Sequence, residues 1–458
     1  MLRRLLFFNF RIAYRLSQWL RHRFTPPGLL LFGGLVASGI FGANTRQTMS
    51  YQIFSILAAA IFLSIVTCLR FRRRIGIERR LPRFGTVGLP VHYDFTVANG
   101  GSRPESGLSL IDQLDGGLPS YEEFRNADDP DDHRWNWFDR VVGYPRLLTL
   151  MQRRRGASIA AIDLPAIPPR DQVRVDAVLT PLRRGYLRFS GLSLARPDPL
   201  GLFRAVQSHA DKGTLLVLPR LYRVPKIRLD GRRRYQRGGM SLASAVGDSQ
   251  EFLSLREYRP GDPLRAIHWR SFARLGKPVV KEFQDEFFVR HGLVLDTFAD
   301  GSSGSRFEEA VSVAASFAVA VPDQDSLLDL MFIGNRAYRF TAGRGLAQAE
   351  NTLEILACVQ PCRDQPFSML SRLVLGNLQE MSGFICVLLD WDAPRRELVS
   401  GLRAAGMPVQ VFVVTAPGTR LDAADGPLAD QSQRLAGLPA DSVQEALDAF
   451  AASPGNPP

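Results

Sequence analysis

The sequence predicts an α+β multidomain membrane protein with an N-terminal transmembrane helical hairpin, a β-sandwich-like domain and then a doubly wound α/β domain. Three observations predict it. Two uncharged apolar stretches near the start are flanked by arginines, the apolar pattern then turns to period two, and past residue 287 apolar strands alternate with helical segments.

The first 24 residues, MLRRLLFFNFRIAYRLSQWLRHRF, mix arginine with Leu, Phe and Trp19, as a basic amphipathic helix lying in a lipid interface does. Residues 25–72 hold the two spans, at about 26–45 and 50–70; each is close to the roughly 20 apolar residues that cross a hydrocarbon core of about 30 Å. Arg46 is the one charge between them, whereas both outer flanks are arginine-rich, so the positive-inside rule puts the short turn outside and the rest of the chain in the cytoplasm. Gly34, Ser38 and Gly42 form a small-residue stripe for close helix packing.

The charge distribution decides against a nucleic-acid reading. The chain has 458 residues and a net charge of +12, but residues 1–24 carry +6, residues 70–83 carry another +6 and Arg46 adds one, which leaves residues 84–458 at about −1. A phosphate-backbone binder needs a basic footprint that the soluble part lacks. The run GRRRYQRGG at 231–239 reads as a basic linker. The 4 cysteines, one of them inside a span, suggest neither a disulfide scaffold nor a zinc set.

Residues 75–225 form the β-rich sandwich-like domain. Val91, Tyr93, Phe95 and Val97 alternate with His92, Asp94 and Thr96, and Val173, Val175, Ala177 and Leu179 alternate likewise, which is the signature of half-buried antiparallel strands. An acidic and aromatic insert at 119–140 breaks the pattern, with Asp128, Asp129, Asp131 and Asp132 ahead of Trp135 and Trp137; it lacks the spacing of a calcium loop and reads as a solvated loop.

Residues 287–416 form the α/β domain, with strands FVRHGLVLD, LLDLMFIGN, GFICVLLD and VQVFVVT separated by helical segments, as in a parallel sheet covered on both faces. Residues 417–458 are an extension with one short helix signalled by Ser442 and Glu445, then a loose tail.

Between the domains, residues 226–286 hold a linker and the most information-rich segment, LREYRPGDPLRAIHWRSFARLGKPVVKEF. Asp262 as N-cap, Pro263 at the first helical position and Gly276 past the end predict a short helix. Arg256, Glu257, Tyr258, Pro260, Gly261, Arg265, His268, Trp269, Arg274, Lys281 and Glu282 complete a charged and aromatic docking segment.

That segment resembles the signature of the domain of unknown function 58 family, and the block PLRRGYLRFSGLSLARPDPLGLF resembles the strand block that precedes it there; the twin-span start matches as well. The resemblance implies a bacterial membrane-associated protein whose α/β module is von Willebrand factor type A-like, typically encoded beside a MoxR-type AAA+ ATPase, with no enzymatic activity established for the family. It implies a non-enzymatic binding and assembly protein whose cytoplasmic domains dock that ATPase and its clients, in cell-envelope or protein-complex maturation. Metal-binding type A domains open their sheet with Asp-x-Ser-x-Ser, and here Asp296 is followed by Phe298 and Asp300 in the serine positions. The degenerate motif leaves Asp296, Asp300, Ser302, Thr341, Asp390 and Asp392 as an oxygen set for Mg²⁺ at the strand ends.

The rival reading is a metal-dependent hydrolase at the membrane surface using His268 with Asp262 and the arginines. His268 lacks a neighbouring nucleophile in this reading, and no nucleophile elbow, zinc-protease helix or phosphate loop is present in the sequence.

Overall fold

The computed structural model describes residues 2–42, 48–69, 74–117, 119–126, 136, 144–227, 229, 252–260, 264, 267–283, 289–299, 304–321, 326–342, 346–419, 421 and 426–453. It is a mixed α/β structure with several sheets, in two compact units, Met1–Arg220 with Glu354–Val359 and Leu221–Leu353 with Gln360–Pro458.

The first unit begins with helices α1 (Leu2–Arg23), α2 (Pro26–Gly42) and α3 (Thr48–Leu69). Among the described residues α3 alone is long and apolar enough to cross a bilayer, because α2 has only 17 residues. Thr25 caps α2 by accepting from the Gly28 N–H at 3.2 Å, with Pro26 at the first helical position. The helices pack through small residues, Gly34 of the expected stripe among them. A Cβ on Gly34 would meet Leu57 at 3.5 Å and one on Gly39 would meet Phe54 at 3.3 Å, while the Ser38 hydroxyl bonds back to the Leu35 carbonyl of its own helix.

The sandwich follows. One sheet has the order β1 (Ile75–Arg80), β3 (Val91–Asn99), β7 (Gln172–Pro181), β5 (Ala157–Ile159). The other runs β2 (Phe84–Thr86), β10 (Gly213–Leu218), β8 (Gly185–Pro197), β4 (Ser109–Leu114), β6 (Ile162–Asp163), with β9 (Arg204–His209) paired to β8. Val91, Tyr93, Phe95 and Val97 all face the core, opposite β7 in the register Val91↔Leu179, so the period-two expectation holds. The expectation of a wholly antiparallel sandwich does not: β2 pairs with β10 in parallel, Leu216 opposite Phe84, because the chain crosses the whole sandwich before returning to that edge.

The insert departs further. It opens with a helix at Tyr121–Asn126, fixed by a capping box in which Ser120 Oγ accepts from the Glu123 N–H and Glu123 Oε2 accepts from the Ser120 N–H. Phe124 and Leu147 close over Phe7 of α1, so this part is packed rather than solvated. Asp128, Asp129, Asp131, Asp132, Trp135 and Trp137 lie outside the described residues.

The second unit starts with a hairpin of β11 (Phe252–Glu257) and β12 (Val279–Phe283). Its main sheet has the order β15 (Ala337–Ala342), β14 (Ser326–Ile333), β13 (Val289–Leu295), β16 (Gly383–Leu388), β17 (Val409–Thr415), β18 (Leu435–Pro439), parallel except for the edge strand β15. Phe384, Cys386, Leu388, Val409, Val411 and Val413 pack one face against helices Ser368–Gly376 and Ala393–Ala404. On the other face the Phe412 ring meets Phe317 of helix Gly304–Ala320 and Phe450 of helix Val443–Ala451. Fully buried strands of this kind need apolar side chains on both faces, which is why they read as continuous runs. Beyond residue 417 the chain is more than an extension, since β18 adds the sixth strand and is followed by the helix at Val443–Ala451.

Candidate functional site

In an open α/β sheet, ligands are held at the carboxyl ends of the strands where the strand order reverses, here between β13 and β16. Asp296 follows β13 at that point and is fully buried. Its Oδ1 accepts from the Phe298 N–H at 2.9 Å, and its Oδ2 accepts from the Leu389 N–H at 3.0 Å and from Arg395 Nε at 2.8 Å. Arg395 also donates to Asp392 Oδ2 at 2.6 Å and to the Phe298 carbonyl at 3.3 Å, and its guanidinium lies over the Phe367 ring at 4.8 Å. Burial pushes the Asp296 carboxyl up from its ordinary value, and the Arg395 guanidinium with the two backbone N–H groups pulls against that shift. Burial likewise works against the Arg395 charge, but the Asp296 and Asp392 carboxylates hold its value above the ordinary one.

This geometry does not fit the Mg²⁺ set expected from the sequence. Both Asp296 oxygens are already engaged, and the charge beside them is a guanidinium. Asp392 is the N-cap of helix Ala393–Ala404 and is held by Arg395. Asp390 is exposed, with Oδ1 accepting from the Trp391 N–H. Thr341 is not at the carboxyl ends of the strands: β15 runs antiparallel and places it opposite Asp329, midway along β14, where it accepts from Arg290 at 3.0 Å. Asp300 and Ser302 lie outside the described residues. Among the described residues no group of three or more His, Cys, Asp or Glu side chains is placed to hold a metal ion.

A second charge cluster, missed in the sequence, surrounds Thr341. Asp329 is fully buried in β14 and accepts from Arg290 Nε at 3.0 Å and from Arg339 Nε, and Arg339 reaches on to Glu380 and Asn377. Two arginines against two carboxylates close the account, so the cluster is a structural brace.

The signature segment is arranged differently from expectation. The helix is Trp269–Leu275, beginning after His268 rather than after Asp262; Gly276 ends it with φ +67, the left-handed conformation that glycine adopts without a Cβ clash. Asp262, with Gly261, Pro263 and Arg265, lies outside the described residues. His268 bonds through Nδ1 to Ser271 Oγ at 2.7 Å, so a hydroxyl does stand beside it, contrary to the expectation. In β11, the Arg256 Nη1 donates to the Glu257 carbonyl and Glu257 pairs with Lys277 at 3.5 Å. The Tyr258 N–H donates to the Pro278 carbonyl, and Pro260 is exposed. Lys281 and Glu282 belong to β12, opposite Leu255 and Ser254.

No residue of helix Trp269–Leu275 is buried. Leu264 is 67% exposed, Trp269 62%, Leu275 62% and Phe272 37%, and Trp269 and Phe272 meet edge to face at 6.0 Å. Arg270 and Arg274 on the helix, and Lys277 after it, are exposed beside them. Large apolar side chains grouped on the surface and rimmed by charge mark an interaction surface more often than a catalytic one.

Comparison with known proteins bears on this segment. The family model described as "Protein of unknown function DUF58" matches residues 254–417, from β11 through the end of β17. The chain is similar to "Uncharacterized protein YeaD" of Bacillus subtilis (strain 168), 29% identical over 196 residues that make up 42% of this chain and 48% of that protein. The chain therefore spans about half the length of the curated relative it matches. A crystal structure of Salmonella alpha-2-macroglobulin is similar over 31% of this chain and 7% of that one, at 10% identity and a TM-score of 0.17, too slight a likeness to carry any inference about fold.

Proposed function

We propose that this chain is a membrane-anchored, non-enzymatic binding and assembly protein of the bacterial inner membrane. In this reading α2 and α3 form a two-span hairpin, the rest of the chain is cytoplasmic, and the second unit is a von Willebrand factor type A-like module with a guanidinium where metal-binding relatives hold an ion. Its signature helix docks a MoxR-type AAA+ ATPase, which acts on envelope or multiprotein clients gathered at the membrane.

The observation that carries the reading is the group of Leu264, Trp269, Phe272 and Leu275, large apolar side chains left exposed in the segment matched by the family model. The Asp296–Arg395 pair adds support, because a site closed by its own arginine has no open coordination position for hydrolysis. The test is affinity purification of the tagged full-length protein from bacterial membranes. Enrichment of the ATPase by the native chain and not by a Trp269→Ala, Leu275→Ala variant is expected; equal recovery with a hairpin-only control would sink the reading.

A second reading, hydrolysis at the membrane surface, has one observation in its favour, the His268–Ser271 pair at 2.7 Å. Among the described residues the side-chain partner of His268 is Ser271, and no hydrogen bond joins the ring to a carboxylate that would orient it as a base is oriented in a nucleophilic triad. Labelling of Ser271 by a fluorophosphonate probe, abolished by His268→Ala, would move the hydrolytic reading to first place.

A further inference from the structure

We propose that the turn between β8 and β9, residues 198–203, is a membrane-embedded foot of the β-sandwich, with Leu200 among the lipid acyl chains at the cytoplasmic edge of the bilayer. The inference rests on the reading that α2 and α3 cross the membrane.

The turn is built around one carboxylate. Asp198 Oδ1 accepts from the N–H groups of Leu202 at 2.7 Å and Phe203 at 2.8 Å, and Oδ2 accepts from the Leu200 N–H at 3.1 Å. The fourth donor comes from the apolar helix: Ser64 Oγ of α3 reaches Asp198 Oδ2 at 2.6 Å. Ser64 is 1% exposed and is the single buried residue among the described positions of α3. It precedes the helix end at Leu69 by five residues, about 8 Å along the axis. A helix of 22 residues is about 33 Å long, little more than the hydrocarbon core, so Ser64 is inside the core's edge rather than beyond it. The turn that meets Ser64 is at the same depth.

The same turn is clamped from the other helix. The Thr25 N–H donates to the Leu202 carbonyl at 3.2 Å, and the Thr25 hydroxyl donates to the Gly201 carbonyl. Phe24 and Phe203 form a β-bridge with their rings 4.9 Å apart, edge to face. Gly28 makes room for the seat, since a Cβ there would lie 1.9 Å from the Leu202 carbonyl oxygen. A carboxylate at this depth is costly unless fully paired, and the four donors on Asp198 provide that pairing. With the backbone pinned, Leu202 and Phe203 are buried while Leu200 is left 50% exposed. Lipid is the occupant that covers Leu200, because the helices that fix its depth present their own apolar side chains outward at the same level. On α1, Phe8, Ile12, Leu16 and Trp19 are also exposed at helical spacing, as an interfacial helix beside such a foot requires.

The test uses the full-length protein in anionic vesicles, in a Cys358→Ser background, with an environment-sensitive dye on Leu200→Cys and the unlabelled parent as blank. Ile56→Cys in α3 and Lys212→Cys before β10 serve as the lipid and aqueous references. The expected result is quenching of the Leu200 position by nitroxide-bearing lipids and several-fold protection from iodide relative to the Lys212 position; adding Gly28→Ala, which unseats the turn, restores iodide quenching. Iodide quenching of the Leu200 position equal to that at Lys212, with Ile56 still lipid-quenched, overturns the foot and leaves the anchor standing. Protection from both quenchers, the mark of a protein cover, overturns it as well. Iodide quenching at Ile56 removes the membrane anchor itself.

Discussion

Arg395 Nε lies 2.8 Å from Asp296 Oδ2 across 99 residues of sequence, and this ion pair fills the crevice at the carboxyl ends of β13 and β16. The carboxylate is wholly buried and the guanidinium nearly so, and they share the backbone N–H of Leu389 and the carbonyl of Phe298 as further partners. The pair thus locks helix Ala393–Ala404 onto the sheet and engages both oxygens of Asp296 together with the backbone N–H groups.

Removing one partner leaves the other charge buried and alone, at a cost of about 3–5 kcal/mol. Arg395→Leu is therefore expected to lower stability by that amount in a denaturant titration of the solubilised protein. Asp296→Asn combined with Arg395→Leu costs less than the sum of the two single changes, because neither charge is left behind. Millimolar Mg²⁺ leaves the melting temperature of the native chain unchanged; a clear rise would show that the crevice opens to metal.

A pH dependence follows from His291. It is buried in β13, its Nδ1 has no hydrogen-bond partner, and burial lowers its value from 6.5 to about 4. The folded chain holds the ring neutral while the unfolded chain protonates it below about 6.5, so the unfolded state binds the extra proton between the two values. Stability contributed by the neutral ring is present above 6.5 and is lost as pH falls toward about 4, by about 3 kcal/mol in all. Denaturation midpoints measured between these pH values in the native chain and in His291→Phe test this, because the variant loses the acid limb assigned to this residue.

The parallel sheet was legible because its strands are apolar on both faces and its helices carry their own period; the segment GFICVLLD can be little else than a central strand. Edge strand β15 was not, since Ala337–Ala342 carries Arg339 and only one face needs apolar cover, although Gly334, Asn335 and Arg336 between two strand-like runs were a hairpin signal. The insert helix carried a capping box at Ser120 and Glu123 that the surrounding aspartates obscured. The candidate site was half legible. Asp296 stood out by its place after a strand, but Arg395 looked like one more charge on an amphipathic helix, because a partner 99 residues away leaves no local pattern.

The exposed ridge separates binding from folding. Trp269 and Leu275 touch little of their own unit, so Trp269→Ala and Leu275→Ala are expected to change stability by no more than about 0.5 kcal/mol. Each should weaken partner capture about tenfold or more, as truncation of an aromatic anchor in an interface does. Gly276→Ala, by contrast, forces a Cβ into φ +67 and costs about 1 kcal/mol locally while weakening capture through misplacement of the helix. A loss of capture with Gly276→Ala but none with Trp269→Ala would place the contact on the backbone rather than on the ridge.

Gly292 is the last test of the sheet. It lies inside β13, where glycine weakens a strand unless something passes close by, and a Cβ there would come within 2.5 Å of the Phe384 ring on β16. Phe384 is fully buried and packed in the same core as Val294, Leu388 and Val409, so its ring cannot swing away without opening that core. Gly292→Ala is therefore expected to cost about 1–3 kcal/mol through overpacking. Phe384→Leu in the same chain should recover part of the loss, because it frees the volume the new methyl needs. If Gly292→Ala is neutral in a denaturant titration, the close approach of β13 and β16 at this register is not what holds the position to glycine.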